Sequence, residues 1–213
     1  MDLLPIRKRT GRSLPHWTSD GIPNFVTMRR GDALPAALVQ EYWDEISFLV
    51  GALERRLGRE ATEFERSDIR RKCAGRVERY LDAGHGSCVL KNPIAASIAQ
   101  KSITMYDGGR YDLHAWCVMH NHAHLILTPL NGWSLEKITY DMKHGSSRLI
   151  NRAIGRRGRL WQNESFDHLV RNEVRLERFT KYVLDSPLKA GLHDWPFVGS
   201  RDTSREGARA PRS

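Results

Sequence analysis

Apolar residues recur at intervals of three and four through Leu34, Leu38, Tyr42, Ile46, Leu49, Leu53 and Leu57. That spacing lines one face of a helix, and Pro35 suits its first position, N1. A second amphipathic stretch covers about 62–82. The run "NPIAASIAQKSI" predicts a third helix, with Asn92 as cap and Pro93 at N1. Around these, short runs rich in β-branched and aromatic residues predict strands: "NFVTMRR" at 24–30, "RYDLHAWCVM" at 110–119 and "HAHLILTP" at 122–129. The last two are separated by His120 and Asn121 alone, which fits a hairpin. A helix with Ser134 as N-cap is expected over 134–154, a strand over 164–170, and a helix over 174–185 that stops before Pro187.

This order predicts an α+β fold: a ferredoxin-like antiparallel sheet packed with helices, with an inserted helical section at about 60–105 and an extra C-terminal helix. The organisation expected is a basic arm (1–23), one domain (24–197) and a disordered tail (198–213) with little to bury. No internal repeat is visible.

Composition narrows the partners. The 213 residues carry a net charge of +9, with Arg spread along the chain in "RRLGRE", "DIRRK" and "GRRGRLW". That balance suits a polyanion, nucleic acid above all. The sequence has neither a run of 18 apolar residues nor a signal-peptide pattern, so a cytoplasmic protein without membrane contact is expected. Cys73, Cys88 and Cys117 are too scattered for a zinc ribbon and read as buried thiols.

The chemistry sits in "CVMHNHAHLILTP", residues 117–129. On an extended chain His122 and His124 project to one face. Two imidazoles on so apolar a strand must find partners for their nitrogens, by hydrogen bonding or by ligating a metal. On the terminal helix Tyr182 is followed at i+3 by Asp185 and at i+4 by Ser186, all on one broad face. Beside a cation a phenol can attack a phosphodiester and keep the energy of the broken bond in a covalent ester. The "HNH" at 120–122 is not an HNH nuclease, whose name-giving residues are spread over a ββα unit.

Together, "VMHNHAHLILTPLNGWSLEKI", "KHGSSRLINRAIGRRGRLWQNESFDHLVR" and "FTKYVLDSPLKAGL" resemble the REP-associated tyrosine transposases, within the single-domain HUH (His-hydrophobic-His) transposases of bacterial insertion sequences. The likeness runs from about residue 24 to 197 and is strongest over 110–192. It implies a nuclease core that binds single-stranded or hairpin DNA, such as repetitive extragenic palindromes, as monomer or homodimer. It also implies cleavage by a tyrosine that leaves a 5′-phosphotyrosine link and a free 3′-OH. On this resemblance His122 and His124 are metal ligands and Tyr182 the nucleophile.

Two positions depart from the family pattern. Met-Pro-Asn-His has become Met119-His120-Asn121-His122, and the usual Asn before the helix-terminal proline is Ser186. A hydroxyl is a poorer ligand for a hard cation than an amide or carboxylate oxygen, so Asp185, or His120 from the turn, is an alternative third ligand. Ser186 can also be read as the cap of a short helix from Pro187. The cation expected is Mg²⁺ or Mn²⁺; Zn²⁺ fits two histidines without thiolates less well. His114 and His168 are further polar candidates near strand ends. Arg156, Arg157, Arg159 and Lys189, with Trp161 as a stacking surface or a core residue, make up the expected DNA-binding set, and Arg7, Lys8, Arg9 and Arg12 a basic arm that could follow the phosphates. The rival reading is a nucleic-acid-binding protein that kept the fold and lost cleavage, which Ser186 favours.

Overall fold

In the computed structural model, residues 7–10, 15–18, 21–163 and 165–201 are described. Two short strands, β1 (Arg7–Thr10) and β2 (Pro15–Thr18), pair as a hairpin within the basic arm; Arg12 lies outside the described residues. The main sheet is antiparallel and combines β3 (Asn24–Arg29), β4 (Tyr111–Val118), β5 (His122–Pro129), β6 (Phe166–Leu169) and β7 (Val198–Ser200) in the order β6-β3-β5-β4-β7. Without β7 this is the ferredoxin-like order 4-1-3-2 expected from the sequence.

Among the described residues five α-helices pack on or beside the sheet: α1 (Ala36–Leu57), α2 (Glu63–Asp82), α3 (Pro93–Thr104), α4 (Leu135–Ala153) and α5 (Glu173–Lys189). Their starts are chemically marked. Thr62 and Glu65 form a capping box on α2, Asn92 accepts from the amides of Ile94 and Ala95, and Ser134 accepts from Lys137 N. Pro35 stands one position earlier than expected, as the N-cap of α1.

Alternation along the strands sorts the core into two layers. Val26, Met28, Val118, Ala123, Leu125 and Leu127 pack with Ala96, Ala99 and Ile103 of α3 and Ile138, Met142 and Ile150 of α4. The opposite face sends Phe25, Ala115, Cys117 and Ile126 against Val183 of α5. β5 is therefore buried along its whole length. A third cluster closes α1 on α2 through Tyr42, Ile46, Val50, Val77 and Leu81, with Phe166 of β6 against it. α1 and α2 thus meet the sheet at its β6 edge.

Three expectations are corrected. The tail expected from 198 begins with β7, which pairs with β4; Gly199 is needed there because a Cβ would meet the Trp116 ring at 2.9 Å. Residues 202–213 lie outside the described residues. α5 does not stop before Pro187 but carries it in its last turn and ends at Lys189. There the missing amide costs a single hydrogen bond, and Ala190 N still bonds to Ser186 O. Cys88 is half-buried rather than buried, at φ 43° ahead of a short 3₁₀ turn. No helix among the described residues is long and apolar enough to cross a membrane.

Candidate metal and nucleophile site

Three elements meet at the expected histidines. β5 supplies His122 and His124, both fully buried, with their Nε2 atoms 2.9 Å apart. α5 brings Tyr182, whose ring lies 5.3 Å from that of His124. The third element was not anticipated. Asp82, the last residue of α2, places Oδ1 3.6 Å from His122 Nε2. Among the described residues His122, His124 and Asp82 are the His, Cys or carboxylate groups whose ligand atoms converge, all within 4.8 Å of one another.

Orientation is set one layer out. Asn121 donates through Nδ2 to His85 O at 2.9 Å, so its Oδ1 faces His122 Nδ1 at 2.6 Å. His122 must then carry its proton on Nδ1, leaving Nε2 with a bare lone pair aimed at the cluster. The loop that holds His85 is fixed in turn: Leu90 N bonds to His120 O, and Ser87 N bonds to Asp32. At Gly86 (φ 89°) a Cβ would sit 2.6 Å from Asp32 O, so this close approach requires glycine. On the other side Thr27, opposite His124 in the β3–β5 register, places Oγ1 2.9 Å from His124 Nδ1.

The electrostatics favour a cation. Burial holds His122 well below the ordinary histidine range, helped by the neighbouring His124 and His120, and burial alone lowers His124 to about 3. Both are neutral at physiological pH, the form that can donate a lone pair. Burial pushes Asp82 up to about 6, against the pull of Lys189. Its Oδ1 is buried and has no hydrogen-bond partner among the described residues. Two neutral imidazoles and an orphaned carboxylate oxygen are the donor set a divalent cation would satisfy. Tyr182 Oη, too, is buried with no well-aligned hydrogen bond among the described residues, and the Ser186 side chain is the polar group beside it. Burial, then the charges of Glu78 and Asp82, hold its proton more tightly than in water.

The other expected residues fall in different places. Ser186 does not cap a new helix: it is fully buried inside α5 and donates to Tyr182 O at 2.7 Å. Asp185 is half-buried and outside the converging group, as is His120, which packs edge-on against Trp195. Trp161 is 2% exposed and its Nε1 donates to Ser146 Oγ at 2.8 Å, so it builds the core and offers no stacking surface. Arg157 and Arg159 are exposed; Arg156 donates to Asn151 and Arg159 O and braces the same loop. Lys189 stands 5.1 Å over the Tyr182 ring. His114 bonds Thr128 Oγ1 at 2.8 Å on the β4–β5 pair. His168 stacks on Phe25 at 5.0 Å, beside the site.

The burial of Ser186 fixes what a substitution there does. Ser186→Asn adds volume where none is free, so a loss of about 1–3 kcal/mol in denaturant unfolding is expected. No gain in metal affinity accompanies it, and a tighter Mn²⁺ isotherm for this variant would refute that.

Comparison with known proteins gives a family match and a structural match. Residues 87–186 match the family model of IS200-like transposases. Among solved structures the chain is similar to a REP-associated tyrosine transposase bound to a REP hairpin, with 17% identity, 94% of this chain and 89% of that one covered, and a TM-score of 0.51. No curated protein sequence matches. The family match covers the segment that carries the histidines, and the solved structure shares the fold, so the chain is similar to IS200-like transposases there. The resemblance to REP-associated tyrosine transposases read from the sequence holds, and the match spans the histidine pair and reaches Tyr182 and Ser186.

Proposed function

We propose that the protein is a single-strand and hairpin DNA endonuclease and strand transferase that works through a tyrosine nucleophile and a divalent cation. His122, His124 and Asp82 would hold the cation, Mg²⁺ or Mn²⁺, with Asp82 in place of the third ligand expected from α5. The observation that carries this reading is the convergence of two bare or switchable imidazole nitrogens on an orphaned carboxylate, with a phenol beside them. Bound there, the cation would polarise a phosphate oxygen. Rotation of the Thr27 hydroxyl, from donating to His124 Nδ1 to accepting from it, would free His124 Nε2 as a ligand.

In this reading Tyr182 Oη attacks phosphorus, the DNA 3′-oxygen leaves, and a 5′-phosphotyrosine remains; the free 3′-OH later reverses the step. Glu78, one turn before Asp82, exerts the largest charge effect on Tyr182 and would take the phenolic proton. Lys189, Arg156, Arg157 and Arg159 would follow the phosphate backbone, so affinity should fall steeply with salt. The similar structure that holds a REP hairpin supports DNA hairpins as the substrate class.

Mn²⁺ titration with a nicking assay on single-stranded hairpin DNA tests the assignment. Asp82→Asn and His122→Ala are each expected to weaken Mn²⁺ by about 10–100-fold or more and to abolish nicking. Metal affinity unchanged by both would remove the site. The buried Tyr182 Oη and Ser186 favour the rival, a binding protein without cleavage. Normal Mn²⁺ and hairpin binding with no nicking by the wild type would establish it.

A further inference from the structure

Next to the proposed cation site, between α1, α2 and the β6–β3 edge, lies a cleft open to solvent. Its walls are aromatic: Phe25, Trp43 and Phe166 line it, and the Arg29 guanidinium lies over the Phe166 ring at 4.7 Å. Arg70 joins the lining. Two polar atoms in this lining are buried with no hydrogen-bond partner among the described residues, Ser165 Oγ and His168 Nε2. Ser165 is 5% exposed, and a buried hydroxyl left unpaired costs stability. Among the described residues nothing in the packing accounts for keeping both.

The cleft shares two residues with the site already described. Thr27 lines it and also bonds His124 Nδ1. The Phe25 ring stacks on His168 at 5.0 Å and stands 5.4 Å from His124 and 5.9 Å from Tyr182. A group seated here is thus one ring away from the reacting atoms.

We infer that this cleft receives one unstacked nucleobase of the DNA strand, held between its aromatic walls and read along its edge by Ser165 Oγ and His168 Nε2. The chemistry selects the occupant. Aromatic walls suit the face of a base, unpaired donors and acceptors suit its edge, and guanidinium groups suit the adjoining phosphates. An aliphatic ligand would leave both polar atoms unsatisfied. The inference deepens the proposed function, because a base fixed here would set which phosphate reaches Tyr182.

Selection from a pool of single-stranded oligonucleotides randomised through hairpin and unpaired positions tests it, run in EDTA so that neither metal nor cleavage enters. Wild-type protein is expected to enrich strands with one base at one unpaired position, about tenfold over the other three. Ser165→Ala, and separately His168→Phe, which keeps a ring against Phe25, should flatten that preference to within about twofold and leave every other position unchanged. Ser165→Ala should also keep or raise the melting temperature, because it removes an unpaired buried hydroxyl, an effect a structural serine would not give. An identical enrichment profile in both variants, or a uniform loss at all positions, overturns the inference while leaving the nuclease reading intact. No enrichment of single-stranded DNA by the wild type overturns both.

Discussion

Tyr182→Phe protein is expected to form no covalent adduct with hairpin DNA and to lose nicking by at least a thousandfold, while it binds the same DNA within a few-fold of the wild type. The substitution removes one oxygen, which is the proposed nucleophile, and leaves the ring that packs on Phe25 and His124. The same oxygen is buried with no well-aligned hydrogen bond among the described residues, so its loss should leave the fold as stable or more so. Loss of activity with retained or increased stability is the signature of a reacting group rather than a structural one. Adduct formation measured by denaturing electrophoresis with labelled DNA decides the matter, and adducts at the wild-type level would end the assignment of Tyr182.

Much of this arrangement was legible in the chain because local rules and global fold agree. The alternation of β5 placed His122 and His124 on one face, and they share it. Asn92 and Ser134 cap the helices they were expected to cap. The strand and helix order gave the ferredoxin-like sheet, confirmed by its order β6-β3-β5-β4.

What was missed follows from forces that a linear reading weighs poorly. Pro187 reads as a helix stop, yet in a last turn it forfeits one bond and is tolerated. For Trp161 the sequence left a stacking surface and a core position both open, and its bridge to Arg30 goes with the core position. Asp82 lies 40 residues from His122 in what reads as an insertion, so no spacing motif links them. One local signal does point to it: a carboxylate ending α2 stands at the negative end of the helix dipole, where an anion is disfavoured. A residue that breaks a local rule is a candidate for a functional position, and a search for acids at helix C-termini would have found this one.

Acidification should unfold the metal-free protein over a defined window. His124 and His168 are held at about 3 and about 4 in the folded chain, both by burial, against an ordinary value of 6.5. Between those values the unfolded chain binds more protons than the folded one, so stability falls as pH drops below 6.5. By pH 4.5 each histidine withdraws on the order of 2 kcal/mol, and His122 adds to this in the same direction. Asp82 works oppositely: raised to about 6 from 3.8, it takes up its proton earlier in the folded chain, so its protonation stabilises as pH falls through that range. Glu78, raised by burial and by the charge of Asp82, acts in the same direction, and the two carboxyls offset only part of the loss from the buried imidazoles. Guanidinium denaturation at pH 7.5, 5.5 and 4.5 in EDTA should therefore show a falling midpoint at constant slope. In His168→Phe protein one histidine's share of that fall disappears. A midpoint that does not move between pH 7.5 and 4.5 would mean that the imidazoles are not held neutral by burial, and the electrostatic argument for a cation at His122 and His124 would fail with it.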